Sequence, residues 1–129
     1  MRWKKYLVEV GTGIDLHGED VTNAARKAVR DAITSHSMIG LRDICGFQNM
    51  EEINDALKVD MTIATPYPEK VNKEEVLKVL PEGRTVIKVV EGGVRFPTPA
   101  NKEYASMGGI VVAVATLVVL VDMDKVRTM

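Results

Sequence analysis

The run Ile110-Val111-Val112-Ala113-Val114-Ala115-Thr116-Leu117-Val118-Val119-Leu120-Val121 constrains this chain more than any other segment. It carries no charge, yet it is shorter than the roughly 20 residues a bilayer core demands. β-Branched valine dominates it and Gly108-Gly109 precedes it, so it reads as a buried strand. A strand this apolar calls for cover on both faces. A chain of 129 residues that is 46% hydrophobic forms one domain, residues 1–129, with a real core. A two-layer domain of that size cannot cover both faces of such a strand, so a homo-oligomer, ring-like and packed through the sheet, is expected.

The period of the pattern changes along the chain. Tyr6 to Val10 alternates as a first strand, with Tyr6, Val8 and Val10 on one side and Leu7 and Glu9 on the other. Asp20 or Thr22 caps a helix whose stripe is Val21, Ala24, Ala25, Ala28, Val29, Ala32 and Ile33, small enough to lie close against a sheet. That helix frays around His36 to Gly40, and Leu41 to Gln48 is a connection of undefined form. Asn49 to Glu52 starts a short helical turn. Val59, Met61 and Ile63 mark a second strand, which Pro66 and Pro68 end. Asn72 caps a helix over 73–80. A third strand, Thr85 to Val90, leads through a tight hairpin at Glu91-Gly92-Gly93-Val94 into a fourth, Val94 to Phe96. Thr98 to Met107 has the make-up of an exposed loop. The order β-α-β-α-β-β-β predicts an α/β, two-layer domain: one mixed sheet of about five strands with two main helices.

Seventeen Lys plus Arg against eighteen Asp plus Glu leave a net charge of −1, and aromatics make up 5%, so nucleic acid is an unsuitable partner. The single Cys45 cannot form an internal disulfide and reads as a small core residue. With no leader-like segment before the first strand, a cytoplasmic protein without a membrane span is expected.

Chemistry concentrates in Gly11-Thr12-Gly13-Ile14-Asp15-Leu16-His17-Gly18. In extended chain, Asp15 and His17 point the same way and can share a proton or a divalent ion, while Gly11, Gly13 and Gly18 admit a close ligand. The spacing is neither the dinucleotide fingerprint nor a phosphate loop. Two ligands hold a metal weakly, so His36, Glu19 or Asp20 would supply another donor. The alternative is a structural turn, with Asp15 accepting backbone N–H bonds and His17 donating to a carbonyl, and with His36 separately serving as a cation at a helix C-terminus.

The eight-residue stretch resembles the GxGxDxHG signature of the "Lin" conserved hypothetical proteins of prokaryotes and plants, matching every fixed position. The order of later segments is also similar, so the resemblance spans the domain; it implies no reaction. Locally the stretch resembles methylerythritol cyclodiphosphate synthases, in which the matching Asp and His bind a divalent metal at a trimer interface. That resemblance implies Asp15 and His17 as metal ligands, with zinc or manganese suited to mixed O and N donors. Those enzymes take a further His from the start of a later helix, whereas the other His of this chain, His36, ends a helix. Ser106-Met107-Gly108-Gly109 resembles the Ser-Gly-Gly turns of ring-opening amidohydrolases acting on cyanuric acid and barbiturate, with Met107 as a departure. It implies Ser106 as nucleophile, Lys88 as its base, and Gly108 and Gly109 as carbonyl or anion donors.

The function expected is a small-molecule enzyme, a metal-dependent hydrolase or lyase built on the signature, with its site near a subunit boundary. A non-catalytic homo-oligomeric binding or scaffolding ring is the alternative.

Overall fold

Strand β5 (Ile110–Asp122) occupies the middle of the sheet, and the other strands are arranged about it. The computed structural model describes residues 1–80, 84–97 and 108–127. β1 (Trp3–Asp15) pairs antiparallel with one side of β5, from Trp3 opposite Asp122 to Asp15 opposite Val111. β2 (Leu57–Thr65) pairs antiparallel with the other side, and β3 (Arg84–Glu91) lies parallel and outside β2. β4 (Val94–Phe96) takes up β5 where β2 leaves it, pairing Val94 with Val112 and Phe96 with Ile110. The sheet is mixed and five-stranded, in the order β1-β5-β2-β3 with β4 on β5.

Helix α1 (Val21–Thr34) buries the small-residue stripe read from the sequence: Val21, Ala24, Ala25, Ala28, Val29 and Ala32 are all buried. Its cap is Asp20, whose Oδ1 accepts the Asn23 amide at 3.0 Å. α1 lies along β1 and β5 at unusually close range. A Cβ on Gly11 would stand 2.2 Å from the Ala28 carbonyl oxygen, and one on Gly13 would stand 2.0 Å from that of Ala24. The 41–48 connection contains a one-turn helix, α2 (Gly40–Asp43). α3 (Met50–Ala56) is capped by Asn49, and α4 (Lys73–Leu77) by Asn72, as those residues indicate. α4 stops short of the expected Leu80. No helix among the described residues is long and apolar enough to cross a membrane.

Two expectations need correction. β1 is far longer than Tyr6 to Val10 and includes the whole Gly11–Asp15 stretch, because β5 offers it a continuous partner that outweighs the low strand propensity of two glycines. The tight hairpin between β3 and β4 does not form. Pro66 ends β2, so the β5 residues beyond need another partner, and Gly92-Gly93 carries the chain from the line of β3 into that of β2. The Gly92 amide donates to the Thr65 carbonyl at 3.2 Å, and Gly93 (φ +67°) crosses where a Cβ would lie 2.1 Å from the Val112 carbonyl oxygen.

As expected of a two-layer domain of this size, β5 within one chain is buried on a single face. Val111, Ala113, Ala115, Leu117, Val119 and Val121 pack under the helices, while the even-numbered residues from 110 to 120 are half-buried on the opposite face. That open face continues into Val8, Val10 and Ile14 of β1, Val86 of β3 and Val94 of β4, all exposed.

Candidate functional site at the glycine-rich turn

The register of β1 decides the environment of each signature residue. With Gly11 and Gly13 turned to α1, Asp15 follows them onto the buried side, while Thr12 and Ile14 are exposed. The strand ends at Asp15, so the alternation that would align Asp15 with His17 stops one residue too early. Asp15 is buried and His17 is exposed.

The Asp15 carboxylate is fully engaged by the chain that follows it. Oδ2 accepts the Asp20 amide at 2.9 Å and Oδ1 accepts Asn23 Nδ2 at 2.8 Å. It thereby folds residues 16–19 into a tight turn and fixes the start of α1, whose Asp20 in turn caps the helix. Lys27 Nζ, one helical turn on, donates to the Ile14 carbonyl at 3.1 Å. The turn needs two left-handed residues, Gly18 at φ +83° and Glu19 at φ +53°.

Glu19 reaches a second wall. Its carboxylate forms an ion pair with Arg95 of β4 and accepts the Gly109 amide. The Arg95 hydrogen bond is the main cause holding the Glu19 carboxyl below the usual range; burial opposes it, and the Gly109 amide and the charges of Arg95 and Lys70 assist. Beside this pair, Gly108 stacks on the turn itself: a Cβ there would lie 3.2 Å from the Gly18 Cα. The segment leading into β5 therefore meets the signature turn at Gly108 and Gly109. Tyr67, at φ +51°, carries Lys70 over its ring at 4.9 Å nearby on the β2 side.

The sequence-derived candidates divide accordingly. Asp15, Glu19, Asp20, Gly18, Gly108 and Gly109 come together. Gly11 and Gly13 do not open onto this turn, because the space beside them holds the backbone of α1 instead of a ligand. His36 lies beyond the far end of α1, where its Nδ1 sits 2.8 Å from the Ala32 carbonyl oxygen, the position that suits a cation at a helix C-terminus. Lys88 is exposed in the middle of β3, paired in register with Thr62. Ser106 and the loop 98–107 lie outside the described residues. Cys45 is buried, which pushes its thiol up. Among the described residues no three His, Cys, Asp or Glu side chains gather as a metal site. Asn23 and Arg95 were missed. Asn23 was detectable as the polar residue three places after a cap, whereas nothing local announces Arg95.

This turn and its sheet have relatives. A family model described as a conserved hypothetical protein, Lin0512_fam, matches residues 5–119. The chain belongs to that family. Among solved structures, an FtsZ-like protein of unknown function from Nostoc punctiforme PCC 73102 is 36% identical, with a TM-score of 0.79 over 95% of this chain and 98% of that one. The mixed sheet with helices packed on it is thus the architecture of that protein too. No curated protein matches the chain.

Proposed function

We propose that the protein works as a homo-oligomer whose copies close over the open sheet face, with the signature turn as a structural clasp at the rim of a small-molecule site between subunits. The observation that supports this reading is the open face itself. Val8 is 54% and Val10 51% exposed on β1, beside the half-buried valines of neighbouring β5, and Val86 of β3 is 57% exposed on the same face beyond Asp60 of β2. Isolated exposed valines are ordinary, but a sheet face made of them marks an interface. Ile14 and Leu16 carry the apolar surface to the exposed His17, so a second copy on the face would border the turn. The neighbour described as FtsZ-like is itself of unknown function, so the likeness contributes a fold and no reaction.

Sedimentation at micromolar concentration tests the proposal. A multiple of the 14.2 kDa chain mass is expected, reduced to one chain by Val10→Glu. A wild-type protein sedimenting as a single chain overturns it. Metal analysis of the assembled protein tests the clasp: stoichiometric zinc or manganese that is lost in His17→Ala would replace the clasp with a metal centre.

A further inference from the structure

Behind the signature, β1 presents a second carboxylate to the helix side. Glu9 is 2% exposed and lines a cavity of about 240 Å³ beneath the end of α1 and α3. Ile33, Ile53, Leu117 and Val119 are among its walls, and of the described lining residues only Glu9 and Asn54 are polar. Met38 and Met50, both exposed, stand where the cavity reaches the surface, and such unbranched side chains adapt readily to a guest.

A carboxylate in such surroundings is out of place unless something pairs with it. Burial raises the Glu9 pKa from its ordinary value. Among the described residues His36 alone opposes this through its charge, and no hydrogen bond contributes. An apolar cavity of ~150 Å³ takes a benzene ring, so this one has room for a ring and a short chain. The combination is a shaped, mostly apolar pocket with two polar groups on its wall, Glu9 and Asn54, the usual form of a small-molecule site.

We propose that this cavity binds a compact organic amine, its hydrocarbon body among Ile33, Ile53 and Leu117 and its ammonium paired with the Glu9 carboxylate. The ammonium supplies a cation to pair with Glu9, and the apolar walls strengthen that pairing by lowering the local dielectric. The site is independent of the open sheet face, since Glu9 and Val10 point to opposite sides of β1.

Calorimetric titration of the full chain at pH 8 with three probes of one shape tests this: 2-phenylethylamine, 2-phenylethanol and 3-phenylpropanoate. The amine is expected to bind roughly tenfold or more tightly than the alcohol, the order set by a hydrogen bond to a charged group, and the carboxylate most weakly. Glu9→Gln, which keeps the shape and removes the charge, should abolish the preference for the amine over the alcohol. Equal binding of all three probes, a preference that survives Glu9→Gln, or no binding of any probe at millimolar concentration would each overturn the proposal.

Discussion

Asp15 accepts from Asp20 and from Asn23 through separate oxygens, so replacing one oxygen by an amide sets a donor against a donor. Asp15→Asn is therefore expected to lower stability by about 1–3 kcal/mol, as for a buried hydrogen bond lost with its partner left unsatisfied. His17→Ala, at an exposed position, should leave stability unchanged. Urea denaturation of both variants checks the pair. Glu9 has the opposite character, because its folded pKa is raised and the folded state therefore favours the protonated form. Its cost to stability accrues as pH climbs from the ordinary glutamate value towards the raised one and is complete above it. Glu9→Gln should accordingly raise the melting temperature at pH 8 and lose that advantage near pH 4. Parallel melts at the two pH values decide it.

At the scale of elements, the contact of α1 with β1 depends on two missing side chains. A Cβ at Gly13 collides with backbone, the Ala24 carbonyl oxygen, and backbone cannot rotate away as a side chain can. Gly13→Ala should cost about 1–3 kcal/mol or more by overpacking and should loosen α1, read as faster amide exchange along Val21–Thr34. Gly18→Ala meets no atom within 4 Å, so only its left-handed φ opposes the change and the cost should be about 1–2 kcal/mol, without an effect on α1. Gly93→Ala combines both penalties at the crossing into β4 and should free that strand from β5. The glycines of one short motif thus do different work: Gly11 and Gly13 admit a helix, and Gly18 turns the chain.

For the whole molecule, the sheet divides the residues into two populations. The helix side holds the core; the other side holds valines that one chain leaves in water. Burying apolar surface returns roughly 25 cal/mol per Å², and that gain, set against the entropy lost on association, is what the proposed closing of this face against further copies would draw on. Val10→Glu on the open face should dissociate the assembly yet leave the fold of a single chain intact, since residue 10 touches no core position. Circular dichroism together with sedimentation separates loss of assembly from loss of fold.

Local physics made much of this architecture legible in the sequence. The apolar β5, the Ala stripe of α1, the caps Asp20 and Asn72, and the strand-ending Pro66 act through neighbours a few residues away, and periodicity and capping chemistry register them. The GxGxDxHG signature marked where the Asp15 turn and the Gly108-Gly109 segment converge. What it could not show is which side of β1 those residues occupy, because polarity pointed one way and register the other: Glu9 faces the core and Val10 faces water. Register was set by pairing with β5 across a hundred residues and by the backbone of α1, which can seat only on glycine. The passage of β4 from β3 to β5, the Glu19–Arg95 ion pair and the cavity at Glu9 likewise arise between segments distant in the chain, and only the tertiary structure brings those segments together.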